Sequence, residues 1–158
     1  MRTLRAIALL ALGFWTGMVA AAAVVKRAVP SRGDEESDEV ALVGVFSAVS
    51  LKSRAKAFRG GFMFSWHGGI SADLRGAQIA PGGAHLSVHS LFGGIAIRVP
   101  PGWRVESRVK ALAGGVAVGV PEPGNPDAPT LTLDGFVAFG GVAVGVKPDA
   151  APAPPGEG

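Results

Sequence analysis

The sequence of 158 residues contains no cysteine and no tyrosine. Without cysteine, a disulfide scaffold, a thiolate metal site and a cysteine nucleophile are all excluded. Acidic residues are also scarce, since five of the twelve lie between Pro30 and Glu39, and few carboxylates remain for acid and base chemistry. Once an apolar leader and a polar tail are set aside, the length suffices for one compact domain.

The leader is an uncharged run from Ala6 to Val25, with Arg2 and Arg5 before it and Lys26 and Arg27 after it. Twenty helical residues span about 30 Å, which is the thickness of the hydrocarbon core of a bilayer. The run therefore predicts a single-pass membrane helix within an anchor of residues 1–27. A cleaved signal peptide is the alternative, because the basic start and the alanines near position 22 suit cleavage and secretion.

Two further properties of the leader bear on partners. The short basic N-terminus favours an orientation with the domain outside the cell. Gly13 and Gly17 form a GxxxG pair, which would let two membrane helices approach closely; ordinary small residues in an alanine-rich span give the same pattern.

Polar, low-hydrophobicity segments lie on either side of the domain. Residues 28–39 are acidic and predict a flexible linker, and residues 148–158 form a Pro/Ala tail that we expect to be disordered. The domain itself is predicted at residues 40–147.

The 24 glycines of the chain include members of a repeated short phrase, in which an aromatic residue or Leu112 precedes paired glycines. The full unit recurs every 46 or 47 residues, which is the signature of a repeat architecture. The alignment places Phe46 on Phe92, Lys52 on Arg98 and Trp66 on Leu112. The repeat residues are Phe46, Trp66, Gly68, Gly69, Phe92, Gly93, Gly94, Gly114, Gly115, Phe139, Gly140 and Gly141.

Alternating apolar residues follow each phrase, as in Ile95, Ile97 and Val99, and such alternation predicts β-strands. We therefore predict an all-β fold, a small glycine-rich β-solenoid with a compact β-sandwich as the alternative. In the solenoid, the large residues before the glycines would stack into a buried column. The incomplete last unit, Phe136 to Val146, would form an uncapped end.

The domain also carries longer phrases, which occur together in a fixed order. They are the FGG phrases at 92–94 and 139–141, SLKSRAKAFRGG at 50–61, ADLRGA at 72–77 and VPPGWRV at 99–105. With this set the chain resembles the C-terminal domain of LiaF-like proteins, the cell-wall-active antibiotic response family. The resemblance implies a non-catalytic regulatory domain of the bacterial envelope, linked to a membrane sensor kinase. The founding type has several membrane helices before the domain, whereas this sequence has one.

Candidate chemical sites are few, and the predicted set of catalytic, cofactor-binding and metal-ligating residues is empty. His85 and His89 are four residues apart and would share a strand face, but no third ligand lies near them in the sequence. Ser65 and Ser90 lack a nucleophile elbow, and no glycine-rich stretch ends in the Gly-Lys-Ser or Gly-Lys-Thr of a phosphate loop. We expect no enzyme activity and no cofactor.

The main candidate contact surface is basic. Lys52, Arg54 and Lys56 alternate onto one strand face, and Arg98 falls in register with Lys52. Such a row of cations could bind anionic lipid headgroups or an acidic partner. The alternative is that these side chains form a solvated outer face with no specific ligand. A nucleic-acid partner is not expected.

These observations give two hypotheses of function. The first is a membrane-anchored accessory protein of envelope-stress signalling, which acts by protein contact through the β-domain, with a sensor kinase or another envelope protein as partner. The second is a self-assembling scaffold of the bactofilin type, in which terminal coils stack end to end.

Overall fold

The computed structural model describes residues 2–28 and 30–146, which form two compact units divided after Pro30. The predicted tail lies outside the described residues. The first unit is helix α1 (Arg2–Ala28). Its segment Ala6–Val25 is long and apolar enough to cross a membrane, a property that membrane anchors and signal sequences share. A Cβ added at Gly13 or Gly17 would meet no atom within 4 Å, and the helix–helix contact predicted there stays a prediction.

The second unit consists of β-strands connected by short turns. The strands are β1 (Glu39–Val45), β2 (Ala48–Lys52), β3 (Gly60–Trp66), β4 (Gly69–Asp73), β5 (Ala84–Leu91), β6 (Gly94–Arg98), β7 (Arg104–Ser107), β8 (Lys110–Gly119) and β9 (Thr130–Gly145). All pairs between these strands are parallel, as in a solenoid, whereas β-sandwich sheets are antiparallel. The protein is thus mostly β and solenoid-like.

Each coil of the solenoid is a pair of strands joined at a tight corner. In spatial order, coil 1 is β1 with β2, coil 2 is β3 with β4, and coil 3 is β5 with β6. The long strand β9 passes through the corner without a break and forms coil 4, and β7 with β8 forms coil 5. Because β9 pairs with strands of both runs, one nine-stranded sheet curls back on itself nearly into a barrel.

The last strand in sequence is therefore not the last in space. After coil 3 the chain forms β7 and β8 of coil 5, which do not pair with coil 3. Strand β9 follows in the sequence and lies between coils 3 and 5, where it pairs with both. The prediction that Phe136 to Val146 forms an uncapped end is wrong, because this segment has a paired neighbour on both sides. Within the described residues, the free edge at this end of the solenoid belongs to coil 5, where β7 and β8 each pair only with β9.

The core lies between the two runs of strands, and alternation selects its members. In β5 the residues Leu86 and Val88 point inward and are fully buried, while their neighbours face outward. Opposite them, Ile95 and Ile97 of β6 are buried in the same way. The main stabilisation of such a fold comes from the apolar side chains that the inner coils bury at alternate positions.

Residues 31–38, within the range for which we predicted a flexible linker, hydrogen-bond along coil 1. The backbone N–H of Arg32 donates to Ala41 O at 2.7 Å, and Ala41 N–H donates back to Arg32 O at 2.8 Å. Arg59 N–H donates to Asp38 O at 2.7 Å. The outer edge of β1 is thus partly covered by the chain that precedes it.

Candidate functional site

A ladder of four aromatic rings runs along the corner of the solenoid. Phe46, His67, Phe92 and Phe139 stack with centroid distances of 5.1, 4.9 and 4.9 Å, and their planes lie within 6° of parallel. All four residues have positive φ angles between 47° and 54°, a conformation that non-glycine residues adopt at a cost of about 1 kcal/mol or more. The same unfavourable backbone conformation thus recurs at the corner of four successive coils. We call this stack the aromatic ladder.

The aromatic ladder differs from the predicted column in two respects. The ring between Phe46 and Phe92 is that of His67, whereas Trp66 lies one position earlier, beside Leu91 of β5. The ladder is also exposed, since Phe46, Phe92 and Phe139 keep 42%, 49% and 62% of their surface in solvent. The positive φ turns the side chain outward at the corner, so the rings cover one another without entering the core.

Two glycine columns follow the ladder, and they differ in their surroundings. In the first column are Gly68, Gly93, Gly140 and Gly114. A Cβ at Gly93 would lie 2.3 Å from Gly68 O, and one at Gly140 would lie 2.1 Å from Gly93 O. In the second column are Gly69, Gly94, Gly141 and Gly115, where the nearest atom to an added Cβ is 3.7 Å away or more. The first column is needed for the close approach of the coils, and the second is not.

The second glycine column is part of the floor of an open groove on the outer side of the solenoid. The groove has a volume of about 680 Å³ and crosses all five coils. Its floor has two outward columns of small residues, which are Ala48, Gly69, Gly94, Gly141 and Gly115, and Ser50, Ser71, Ala96, Ala143 and Ala117. We call this surface the outer groove. It is apolar and nearly flat, because no floor side chain is larger than that of serine.

The outer groove lies between the aromatic ladder and a charged column. Two residues beyond the floor, Lys52, Asp73 and Arg98 occupy neighbouring strands in register. Lys52 and Arg98 therefore fall in the predicted register, with Asp73 between them. The 46-residue period relates Lys52 of coil 1 to Arg98 of coil 3, so the carboxylate of coil 2 between them is not visible in the repeat.

The other residues of the predicted basic face lie beyond the end of β2. Arg54 and Lys56 are exposed there, and Arg54 forms an ion pair with Glu35. Asp73 is occupied by Arg75, whose Nε and Nη2 donate hydrogen bonds at 2.8 and 2.6 Å to its two oxygens. The surface beside the groove is thus a mixture of paired and unpaired charges, with Lys52 and Lys56 among the exposed cations.

The Asp73 pair makes stability depend on pH. Hydrogen bonds from Arg75 lower the pKa of Asp73 from 3.8 to about 2, so the pair stabilises the fold above pH 4 and is lost as pH falls toward 2. We expect Asp73→Asn to reduce the free energy of unfolding by about 1 kcal/mol at pH 7. The difference should persist to pH 5 and vanish near pH 2, as measured by denaturant titration in detergent.

Asp127→Asn is the control for this pH dependence, because Asp127 is exposed in the turn before β9. Because the side chain is exposed, its free energy of unfolding at pH 7 should lie within about 0.5 kcal/mol of that of the original protein. A loss in Asp73→Asn that is equally large at pH 2 and pH 7 would contradict the ionic explanation.

A second polar cluster lies on the other outer face, where Asp134 of β9 faces β5. Asp134 accepts hydrogen bonds of 2.6 Å from Ser87 Oγ and from His85 Nε2. The Ser87 bond, followed by that of His85, lowers the pKa of Asp134. A catalytic triad places histidine between serine and the acid, whereas here the carboxylate lies between the other two, so His85 does not activate Ser87.

The histidines thus have separate surroundings. His89 packs between Phe62 and Phe136, with centroid distances of 5.5 and 5.0 Å. Within residues 2–28 and 30–146, no group of three or more histidine or acidic side chains is placed to hold a metal ion. Ser87 and Asp134 are 47 residues apart and occupy equivalent positions of the repeat, but their contact depends on the placement of β9 beside β5.

The outer groove, with its ladder and its charged column, is an extended surface that could hold a partner. Comparisons with protein-family models, with curated proteins and with solved structures give no match for this chain. The surface itself is therefore the basis for a functional proposal. The signal in the sequence is the run of outward Gly, Ala and Ser positions in β4, β6 and β9, which the strand alternation separates from the inward Ile and Val positions.

Proposed function

We propose that the chain is a membrane-attached, non-catalytic contact protein that binds a partner protein in the outer groove. The observation that carries this proposal is the continuous small-residue floor across all five coils. A single apolar helix of twenty residues supports the attachment to a membrane. Small floor residues let a partner backbone approach closely and bury apolar area that is otherwise in water.

The dimensions and charges of the groove suit an amphipathic helix. The aromatic ladder and the charged column are six residues apart along the strands, or about 20 Å, and five strands span about 19 Å. A helix of about 10 Å diameter and about thirteen residues fits this space. Its acidic residues would face the side of Lys52 and Arg98, and its apolar face would rest on the floor.

The envelope-stress role is the finer part of the proposal, and the LiaF-like resemblance supports it. In this role the domain lies outside the cell, and the partner is a membrane sensor kinase or another envelope protein. Anionic lipid headgroups are a competing ligand for the exposed cations near Lys52.

Site-specific photocrosslinking of the full chain in its native membranes tests the groove. A photoreactive residue replaces Ala96 on the groove floor, and in the control it replaces Thr132, an outward residue on the opposite face between buried Leu131 and Leu133. We expect a discrete protein adduct from position 96 and none from position 132. The adduct should map to a partner segment with helical periodicity and acidic residues.

Three results would decide against parts of this proposal. Equal adducts from both positions, or none from position 96, would overturn binding in the groove. Adducts with lipid alone would replace the protein partner by a membrane surface. A discrete protein adduct with an envelope protein other than a sensor kinase would preserve the contact function and remove the kinase from it.

A further inference from the structure

Strand β8 has an open edge at one end of the solenoid. It pairs with β9 on one side, and within the described residues no strand pairs with its other side. The inward residues of β8 consequently lack a covering coil: Val118 is 39% exposed, while Val144, its partner in β9, is 3% exposed. Apolar side chains and unpaired backbone groups are thus presented together, which is the condition for pairing with another chain.

The opposite end of the solenoid does not offer the same surface. The edge of β1 is partly covered through the antiparallel bridge between Arg32 and Ala41. Only the five-residue strand β2 is left there, and it ends at exposed Lys52. A head-to-tail filament needs two complementary open ends, whereas the edge of β8 is complementary to its own copy across a two-fold axis.

We propose that β8 pairs antiparallel with β8 of a second copy of this chain, around a two-fold axis at Ala117. The segment Gly115–Gly119 is the regular part of β8, since the register shifts are confined to Ala111–Gly114. Around this axis, Val116 lies opposite Val118 of the second copy, and both point inward. The pairing therefore covers the valines that coil 5 leaves exposed.

Charge and surface shape are consistent with this register. Lys110 is the one charged residue of β8. The two lysines lie at opposite ends of the paired segment, so they do not repel each other. Gly115 and Ala117 face outward, so the floors of two outer grooves join into one continuous surface of ten strands. The dimer does not depend on what binds in the groove.

Single cysteines test this register cleanly, because the chain has no cysteine of its own. In the full chain in detergent, Ala117→Cys should crosslink to itself on oxidation or with a short thiol reagent, since opposite Cβ atoms lie about 5 Å apart. The matched control is Ala96→Cys, also on the groove floor, whose two copies would be about 24 Å apart. Ala96→Cys should stay uncrosslinked.

Two other variants distinguish competing assemblies. A mixture of Ser50→Cys and Ala117→Cys should give only the Ala117 homodimer; mixed adducts would indicate head-to-tail stacking and overturn the proposal. Gly13→Leu with Gly17→Leu should leave the Ala117 crosslink unchanged; its loss would assign the dimer to the helix. Absence of an Ala117 crosslink in folded protein also overturns the proposal.

A second measurement does not rely on cysteine. Light scattering of the full chain should give the mass of two copies, and Val118→Lys should give the mass of one while the β-sheet circular dichroism is retained. Lysine on a strand edge opposes pairing because its charge would be buried. A folded Val118→Lys variant that remains dimeric would contradict the β8 interface.

Discussion

Gly93→Ala is expected to lower the free energy of unfolding by about 3 kcal/mol or more. A Cβ at this position would lie 2.3 Å from Gly68 O and 2.7 Å from Ser65 Oγ. The closest contact is with backbone, so no side-chain rotation relieves it, and the coils would have to separate locally. Gly68 itself approaches Ser47 in the same way, which limits the space into which coil 2 could move. Denaturant unfolding of the full chain in detergent measures the loss.

Gly94→Ala is the matched control, at the next residue, where β6 begins. The nearest atom to its added Cβ is Gly141 O at 3.9 Å, which is an ordinary contact. The free energy of unfolding should change by less than about 1 kcal/mol, and alanine can stabilise the strand by reducing the entropy of the unfolded chain. Equal losses in the two variants would show that the coils are not held at the spacing described here.

The same geometry explains why the first phrase of the repeat lacks glycines. A Cβ in the first glycine column points toward the preceding coil, as Gly68 does toward Ser47 and Gly93 toward Gly68. Ser47 and Ala48 belong to coil 1, and in the described part of the chain no further coil lies before it. The close approach that requires glycine in coils 2 to 5 therefore has no counterpart at position 47.

Strand content and inward residues could be predicted from the sequence, because alternation and burial are local consequences of the two-residue period. Ile95 and Ile97 point inward as the pattern indicates. The ladder was assigned one position off in coil 2, since Trp66 is the larger ring. Alignment on the paired glycines would have placed His67 with Phe92.

The order of the coils could not be predicted from the repeat. Equivalent phrases at similar spacing are compatible with any stacking order, since each coil presents the same pattern to both neighbours. The physical signal is weaker: the residue before the paired glycines is Phe139 in β9 but Ala113 in β8, and Lys110 of β8 lies opposite Phe136. Strand β8 buries little of its surface, and its residues from Ala113 to Gly119 are Gly, Ala and Val, as expected for an edge strand.

The outer groove was also missed, for a related reason. Charged and catalytic residue types mark a candidate site in a sequence, whereas the groove is defined by side chains that are small. The column of Ser50, Ser71 and Ala96 becomes a surface only when the strands are in register. The charged column shows the same limit, because Asp73 enters between Lys52 and Arg98 only after the coils are placed in order.

The stacking order itself predicts a large difference between two leucines. Leu133 lies in β9 and is 0% exposed, with coil 3 on one side and coil 5 on the other. Leu133→Ala should lower the free energy of unfolding by about 3 to 4 kcal/mol, because it removes buried methyl groups and leaves a cavity that two neighbouring coils cannot close. Thermal or denaturant unfolding of the full chain provides the measurement.

Leu112→Ala is the matched comparison, since Leu112 lies at the bulge of β8 and is 81% exposed. The same change there should cost less than about 0.5 kcal/mol, because little apolar surface returns to water. If β9 instead lay at the end of the solenoid, Leu133 would lack the strand that covers it on the coil 5 side, and its loss would be smaller. A loss at Leu133 as small as that at Leu112 would therefore refute the insertion of β9 between coils 3 and 5, and with it the open edge on which dimerisation depends.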